Sequence, residues 1–407
     1  MKTNYDVIVI GGGPGGSTIA TLLQRKGWDV ALFEKESFPR YHIGESLVPG
    51  CVPILQELGV FKELDVVGFQ RKYGITFVWG EDTEPWRIRW DETPSEITKN
   101  YTFQVERSKF DSVLLENTKR NGVEVYESTP VVSFIKEAGS YKGVVVKHKG
   151  KEFEVFAKII IDASGQKAII GNIEKTFEID EKLKNQAVWS YFEDAGRENL
   201  EDEGNIIIEN SKIGWLWYIP FSNNITSVGW VAGKNQFDDR DLTEQYFDRL
   251  NESLLVKNFL SNSKQVDKVH TMRDWSYASK KFYGDGFVLL GDAAGFVDPL
   301  FSTGVFLAMN GATLGAKYID KVLRDEKNKD KYLQLYEKGY KGFLKKVTDF
   351  VHYFYDATLE KDKYFGKADS LVNPFVEMTH RQEFIYLISG LAGINSLEKE
   401  AEKEQND

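Results

Sequence analysis

A run of closely spaced glycines near the start of the chain has the spacing needed to hold a phosphate group. The glycines form the pattern G-x-G-x-x-G and are Gly11, Gly13 and Gly16. The first permits a tight turn, the second lets a pyrophosphate approach the start of a helix near Pro14, and the third lets that helix pack on the preceding strand. Glu34, about 20 residues further on, holds the place of the acid that binds a ribose. Apolar runs precede both features, so we predict a dinucleotide site rather than an isolated glycine loop.

Polar residues follow Glu34 in the loop FPRYHIGESLVPG, residues 38–50. Its composition alone is that of a solvent-exposed loop bounded by glycine and proline. Because it comes directly after the ribose acid, we expect it to contact the bound dinucleotide. The residues available for this contact are Arg40, Gly44, Glu45 and Ser46.

Two more polar turns come directly after short apolar runs. Asp162 follows an all-isoleucine run that is typical of a strand buried on both faces. Gly291 and Asp292 follow a second such run, before a helix rich in small residues that we expect from Thr303. We predict that both turns lie at the rim of a cofactor cleft.

The run GWLWYIP, residues 214–220, places two tryptophans two positions apart. Side chains alternate across a strand, so Trp215 and Trp217 are expected on one face, roughly 7 Å apart. Two interpretations stay open at this point: a pair of core residues, or a wall between two compartments.

Composition excludes several classes of function. The chain has 407 residues and a net charge of −10, which argues against a nucleic-acid surface. The one cysteine, Cys51, allows no disulfide within the chain and favours a reducing, cytoplasmic location. The five histidines are scattered without metal-ligand spacing, so no metal site is expected. No apolar run approaches the roughly 18 residues of a membrane span.

Four runs together resemble the FAD-dependent halogenases, within the superfamily of flavin monooxygenases and geranylgeranyl reductases. The runs are GGGPGG, FPRYHIGESL, GWLWYIP and GDAAGFVDPLFSTG. The third matches the family pattern W-x-W-x-I-P, in which Ile219 and Pro220 complete the motif. The resemblance implies FAD as cofactor, and reduced FAD, dioxygen and chloride or bromide as reactants.

The resemblance also implies roles for individual residues. Asp292 would contact the ribityl or pyrophosphate part of FAD, and Arg107 would line the FAD cleft. Gly44, Glu45 and Ser46 would lie in the strap between the flavin and the substrate site. The amides of Thr303 and Gly304 would hold the halide, although the same two residues fit a plain helix start.

A lysine before a YGITFVWG-like strand is the catalytic residue in that family, and here it is Lys72. Hypochlorous acid would reach it past Trp215 and Trp217, and a buried amine could form a chloramine or donate a hydrogen bond. Arg71 is an alternative for the inward-pointing residue, and Lys72 could equally be a surface residue. Phe301 stands where tryptophan-acting members have Glu, which favours a phenol or pyrrole substrate.

The expected fold is α/β, with a Rossmann-type FAD domain similar to glutathione reductase, an inserted antiparallel substrate domain and a helical C-terminal segment. The FAD domain is assigned to residues 1–72, 101–168 and 270–330, and the inserted sheet to 73–100 and 169–269. Residues 331–407 would form a helical cap with a charged tail.

Since no second dinucleotide pattern is present, a separate flavin reductase is a possible partner beside the small-molecule substrate. A hydroxylase or ene-reductase of the same superfamily stays open as an alternative. A flavin-free structural protein is the alternative of another class.

Overall fold

The computed structural model describes residues 1–81, 84–93, 99–372 and 377–394. The expected charged tail, residues 397–407, lies outside them. None of the helices in the described ranges has both the length and the apolar character needed to cross a membrane.

The strands, in chain order, are β1 (Asn4–Ile10), β2 (Val30–Phe33), β3 (Gln70–Lys72), β4 (Gly74–Val78), β5 (Trp86–Arg89), β6 (Thr102–Gln104), β7 (Glu124–Tyr126), β8 (Val131–Glu137), β9 (Ser140–His148), β10 (Lys151–Asp162), β11 (Phe177–Glu193), β12 (Ile206–Asn210), β13 (Trp215–Pro220), β14 (Ile225–Gly233), β15 (Lys264–Gln265), β16 (His270–Ser279), β17 (Tyr283–Gly284), β18 (Phe287–Leu289) and β19 (Gly295–Phe296). The helices are α1 (Pro14–Arg25), α2 (Cys51–Glu57), α3 (Phe61–Val67), α4 (Arg107–Arg120), α5 (Ile169–Glu174), α6 (Leu242–Glu252), α7 (Val256–Leu260), α8 (Gly304–Arg324), α9 (Lys329–Phe354), α10 (Lys361–Asp369) and α11 (His380–Ile388).

The first sheet forms the nucleotide domain. Its order is β7-β2-β1-β10-β18-β17, with β7, β2, β1, β10 and β18 parallel and the β8–β9 hairpin attached to the first half of β10. β1 is buried almost throughout, because it is the central strand and α1 packs beside it with α4 and α8. This explains why its sequence is a continuous apolar run and does not alternate.

The turn between β1 and α1 depends on a very close approach of backbone to backbone. Gly11 has φ +104°, in the region that glycine adopts without strain. A Cβ at Gly16 would lie 1.9 Å from the Gly11 carbonyl oxygen. The third glycine of the pattern therefore allows α1 to sit on β1, as expected from the sequence.

The second sheet has the order β5-β4-β12-β13-β14-β11-β16-β19, antiparallel except for the β12–β4 pair. β13 is buried on both faces: Trp215 and Trp217 face the main core, while Leu216 and Tyr218 face a smaller core closed by α6 and α7. The two tryptophans share a face, as their spacing predicted. The mixed α/β architecture and the helical C-terminal region confirm the expected fold class.

One boundary differs from the sequence expectation. Residues 270–279 were expected to return to the nucleotide domain, but β16 pairs with β11 over most of its length in the second sheet. The chain returns to the first sheet at β17 and β18. The reason is that β11 has two free edges: residues 185–193 pair with β14 on one edge, and residues 177–179 and 184–189 pair with β16 on the other.

Gly229→Ala tests how the tryptophan face is packed. Trp217 and Trp189 both pair with Gly229 across neighbouring strands, and a Cβ there would lie 2.2 Å from the Trp217 ring. We expect the substitution to cost about 1–3 kcal/mol of unfolding free energy by overpacking and to change the near-UV circular dichroism. Gly366→Ala, where no atom lies within 4 Å of the new Cβ, is the control and should leave both measurements unaffected or slightly raise stability. Equal stabilities for Gly229→Ala and wild type would contradict this packing.

Candidate active site

A cleft with a volume of about 730 Å³ extends between the two sheets. Most residues that the sequence singled out line it. They are Gly11, Gly13, Pro14, Glu34, Arg40, Gly44, Glu45, Ser46, Arg107, Trp215, Trp217, Ile219, Gly291, Asp292 and Gly304. Segments from distant parts of the chain are thus brought to one cavity, as the sequence interpretation requires.

Six of the predicted site residues do not line the cleft and lie behind the residues that do. They are Gly16, Lys72, Asp162, Pro220, Phe301 and Thr303. Asp162 is fully buried and accepts hydrogen bonds from the amides of Ser164 (3.1 Å) and Ile170 (2.7 Å), so it fixes the turn after β10. Its burial raises the pKa of the carboxyl. Asp162 therefore shapes the rim of the cleft from behind.

One end of the cleft is formed by the glycine turn and the start of α1. Gly13 is the residue before α1 and has an extended backbone conformation, so the first amides of the helix have no partners within it. A Cβ at Gly13 would meet only the Arg40 guanidinium, at 3.6 Å. The Glu34 carboxylate accepts hydrogen bonds from the amides of Gly12 (2.7 Å) and Glu36 (2.8 Å). This end combines free helix amides with a fixed carboxylate, which suits a pyrophosphate and the neighbouring ribose.

The strap, residues 38–50, is held by Arg107. The guanidinium makes a bidentate ion pair with Asp111 (2.7 and 2.9 Å) and donates to the carbonyls of Ile43 (2.8 Å) and Gly44 (3.1 Å). Arg40 approaches Asp111 as well, at 3.2 Å. Arg107 therefore faces the cleft and at the same time fixes the course of the strap.

Lys72 lies directly behind the strap. Its side chain is fully buried, and the amine donates to Ser46 Oγ (2.9 Å) and to the carbonyl of Leu47 (3.0 Å), 5.4 Å from the Trp90 ring centre. Desolvation lowers the pKa of this lysine to about 7. Arg71 points outward instead and pairs with Asp65 (2.8 Å). Of the two neighbouring cations, Lys72 is the buried one.

The tryptophan face contains a third indole that the sequence analysis missed. The ring centres of Trp215 and Trp217 are 6.1 Å apart, and those of Trp217 and Trp189 are 6.3 Å apart. Trp215 Nε1 donates to Tyr355 OH (2.8 Å), which donates to the buried Asp298 carboxylate (2.7 Å). Trp189 stands in the run AVWSYF, whose alternating character predicts a strand, and this was the one sequence signal for its position. We call Trp189, Trp215 and Trp217 the tryptophan wall.

The segment after Asp298 turns sharply into α8. Ser302 has a left-handed φ of +59°, and Thr303 is the residue that precedes the helix. Within the described residues, neither the Thr303 amide nor the Gly304 amide donates to a backbone carbonyl. Two adjacent free amides at the start of a 21-residue helix favour an anion. Ser302 and Gly304 reach the cleft, whereas the Thr303 side chain is buried.

Phe301, just before this turn, lies in an aromatic cluster. Its ring stacks on Phe350 with centres 5.3 Å apart and meets Phe354 edge-on at 4.9 Å. Both partners come from α9, and Phe384 of α11 packs against them. The position is therefore entirely apolar.

Of the common dinucleotides, FAD suits this cleft best. The tryptophan wall, which lines the same cleft, offers an extended apolar surface of the kind that an isoalloxazine ring requires. The space above Gly13 is open to a pyrophosphate and would be filled by any larger side chain. The fold and the cleft thus define an FAD-dependent oxidoreductase.

The chain belongs to the tryptophan halogenase family, whose model matches residues 6–97 and 87–386. It is 33% identical to a tryptophan 2-halogenase of Chondromyces crocatus over 383 residues, which are 92% of this chain and 72% of that protein. It is 32% identical to a 1H-pyrrole-2-carbonyl-[peptidyl-carrier protein] chlorinase of Pseudomonas fluorescens, over 86% of this chain and 84% of that one.

Solved structures agree with these sequence relatives. The myxobacterial chondrochloren halogenase superposes with a TM-score of 0.83 at 33% identity, over 97% of this chain and 91% of that one. A flavin-dependent brominase superposes with a TM-score of 0.85 at 27% identity, over 99% of both chains. The protein is an FAD-dependent, halogenase-type enzyme that uses halide and dioxygen, as the sequence motifs indicated.

Gly13→Val should abolish FAD binding and leave the fold intact. The new side chain finds open space in the protein but occupies the place of the pyrophosphate. The flavin absorption band of the purified protein and its thermal unfolding report the two effects separately. Gly16→Ala is the contrasting variant, because its Cβ would collide with the Gly11 carbonyl and reduce stability itself. Normal FAD binding by Gly13→Val would exclude the glycine turn as the phosphate site.

Lys72→Met should raise stability at neutral pH, and the gain should shrink as the pH rises. The folded pKa is about 7 and the ordinary value is 10.5, so burial costs about 5 kcal/mol below pH 7, at about 1.4 kcal/mol per unit. Between these two values the unfolded chain binds the proton that the folded chain has lost, so the stability of the wild type rises with pH. The gap to Lys72→Met should therefore narrow by about 1.4 kcal/mol per pH unit from pH 7 to 10.

Urea unfolding of the wild type and Lys72→Met at several pH values measures this gap. The Lys62→Met variant, altered at an exposed lysine, is the control and should follow the wild type at every pH. Parallel stability curves for the wild type and Lys72→Met would mean that Lys72 keeps its proton on folding.

Proposed function

We propose that this enzyme transfers chlorine or bromine to an electron-rich phenol or pyrrole ring and that Lys72 is the catalytic residue of the transfer. The observation that carries the proposal is the buried amine of Lys72, held by Ser46 and Leu47 with a pKa of about 7. An ordinary surface lysine stays cationic at neutral pH and is a poor nucleophile. An amine with a pKa of about 7 is about half neutral at pH 7, and its neutral form can accept a halogen.

Two chemical roles are open to this amine. The neutral form can react with hypohalous acid, forming an N–halogen bond with loss of water. The charged form can donate a hydrogen bond to hypohalous acid and polarise it. Both roles need a desolvated amine near the strap, and Ser46 is the residue that contacts both the cleft and Lys72.

We assign the halide to the amides of Thr303 and Gly304. Support comes from their free N–H groups at the N-terminus of α8, where the helix dipole also favours an anion. FAD, when bound and reduced, supplies the electrons with which dioxygen oxidises the halide. The tryptophan wall, with Ile219 and Pro220 behind it in β13, would keep the organic substrate away from the flavin.

Phe301 supports a phenol or pyrrole as the substrate class. An apolar residue locked between Phe350 and Phe354 offers no acceptor for a polar group such as the amine of an amino acid. The relatives named above are a tryptophan halogenase and a chlorinase of a carrier-bound pyrrole. Tryptophan is therefore the informative competing substrate in a product screen.

A separate flavin reductase is the source of reduced FAD in this proposal. Support comes from the sequence, which holds one dinucleotide pattern, at Gly11 to Gly16. The cytoplasmic location stays a prediction that rests on the single cysteine.

Lys72→Ala should reduce halogenated product by about 10²–10⁴-fold, the range lost when a group that acts in proton transfer is removed. FAD binding and reoxidation of the reduced enzyme should change little, because the amine lies behind the strap. Lys72→Met should behave in the same way, which separates the amine from its packing volume. Product is measured by mass spectrometry with chloride or bromide and reoxidation by stopped-flow absorbance.

The control is Arg71→Ala, a cation removed from the adjacent, outward-facing position of β3. Lys72→Arg separates the two chemical roles, because a guanidinium stays protonated: activity in Arg but not in Ala favours the hydrogen-bonding role. Normal halogenation by Lys72→Ala would refute the assignment. An oxygenated product formed independently of halide would favour the hydroxylase.

A further inference from the structure

We propose that Tyr41, Tyr191 and Glu45 form a proton path from the protein surface to the cleft. Tyr41 OH lies 2.8 Å from Tyr191 OH, and Tyr191 OH donates to Glu45 Oε1 at 2.7 Å. Trp189 Nε1, which can only donate, bonds to Tyr41 OH at 2.7 Å. The three side chains come from the strap and β11, and neither Tyr41 nor Tyr191 is among the residues that line the cleft.

The donors in this chain all point one way. Because the Tyr41 oxygen accepts from Trp189, its own hydroxyl proton is free to go to Tyr191. Tyr191 in turn gives its proton to the carboxylate. When the Glu45 carboxylate takes the Tyr191 proton, Tyr191 takes that of Tyr41, and Tyr41 is replenished from water. Each hydroxyl oxygen gains one proton and loses one, so both tyrosines end unchanged, the carboxyl is protonated and the solvent has given up one proton.

The two ends of the path lie where such a path requires them. Tyr41 is 52% exposed, whereas Glu45 is 3% exposed. The second oxygen, Glu45 Oε2, is buried, and Glu45 lines the cleft. Ser227 is a further polar neighbour of the carboxyl, and a charged carboxylate with so few partners is costly to bury unless it carries a proton or meets a ligand. The carboxyl is therefore placed to take a proton from Tyr191 at Oε1 and, after rotation about its Cγ–Cδ bond, to release that proton to the cleft.

The groups around the carboxyl leave it able to titrate. Desolvation raises the pKa of Glu45 to about 7, against the opposing effects of Tyr191, Ser227 and the Arg107 guanidinium. Further charged or titratable groups are Glu106 before α4, which raises the pKa, and Tyr41 and His42 on the strap itself. His270 of β16 stacks on Tyr41 and Trp189 at 5.5 Å and is bonded to Asp267, so it supports the outer end.

Halogenation needs a proton from outside, and this inference rests on that function. Reduced flavin (FADH₂), dioxygen, halide, the aromatic C–H compound and one proton give oxidised flavin, the aromatic halide and two molecules of water. The halide brings no proton, and residues of the strap and the tryptophan wall line the cleft in which the reaction takes place. A path through Glu45 delivers this proton beside Ser46, the residue that contacts Lys72.

The carboxyl is tested first in the flavin-free and FAD-loaded protein, without halide or substrate. Infrared difference spectra across a pH titration should show a protonated carboxyl band with a midpoint near pH 7 that is absent from Glu45→Gln. Tyr191→Phe keeps the aromatic ring and removes the hydroxyl that donates a hydrogen bond to the charged Glu45 carboxylate. It should raise the midpoint by about one to two units, because a hydrogen bond to a charged group contributes about 1.5–3 kcal/mol. Tyr41→Phe should leave the midpoint nearly unchanged.

Turnover is measured next with reduced flavin and halide, in H₂O and D₂O. Tyr41→Phe and Tyr191→Phe should slow product formation and enlarge the solvent isotope effect while FAD binding stays normal. Glu45→Gln should lose about 10²-fold or more. Tyr246→Phe is the control, since this buried hydroxyl donates to the Val228 carbonyl, away from the cleft, and should change none of the readouts.

Wild-type turnover and isotope effect in Tyr41→Phe and Tyr191→Phe would overturn the path. The path would also be overturned if Glu45→Gln kept the protonated carboxyl band of the wild type. If the wild type forms no halogenated product at all, the proposed function fails, whereas the infrared titration still decides whether Tyr191 and Glu45 share a proton as inferred.

Discussion

Two hydrogen bonds from the Lys72 amine to the strap connect the parts of this structure that must work together. β3 and β6 form a separate two-stranded sheet. The strap pairs with the free edge of β6, because Leu47 donates to the Phe103 carbonyl (3.0 Å) and Val105 to the Glu45 carbonyl (2.7 Å). It thus continues this pair as a short added strand, and Arg107 fixes the residues just before it. The wall of the FAD cleft and the position of Lys72 are consequently set by the same few residues.

The tryptophan wall is rigid for a related reason. Each indole is placed by a specific contact: Gly229 provides the space between Trp189 and Trp217 across neighbouring strands, and Tyr355, the residue after α9, accepts a hydrogen bond from Trp215. Tyr355 bonds to Asp298, which also accepts from Asn185 (2.8 Å) and from the Leu300 amide (3.2 Å) in the turn that leads to α8. The tryptophan wall and the turn at residues 298–304 are therefore linked through one buried carboxylate, that of Asp298. A shift of either one would break hydrogen bonds at the other.

The sequence predicted what depends on short-range pattern and missed what depends on distant pairing. The glycine turn, Glu34 and the shared face of Trp215 and Trp217 follow from spacings within one or two elements. Trp189 and Tyr355 gain their roles from contacts with residues that lie more than 25 positions away, and their own segments indicate at most a strand or a helix, not these contacts. The misplaced boundary at residue 270 has the same origin. An alternating run predicts a strand, but the choice of sheet depends on a partner, β11, that begins about 90 residues earlier.

The chemistry at the strap depends on keeping two titratable groups apart. Successive residues of an extended segment point to opposite sides, so Glu45 is directed to Tyr191 while Ser46 is directed to Lys72. The main partners of both groups are neutral: the Lys72 amine binds a hydroxyl and a carbonyl, and the Glu45 carboxyl binds a phenol. A carboxylate in the place of Ser46 would hold the ammonium charged and raise its pKa again. With neutral partners, desolvation dominates on both sides and brings both pKa values to about 7. The strap thereby carries an acid, Glu45, on one face, and through the next residue, Ser46, it contacts a base, Lys72 of β3, on the opposite face. Each of these two groups can change protonation state near neutral pH.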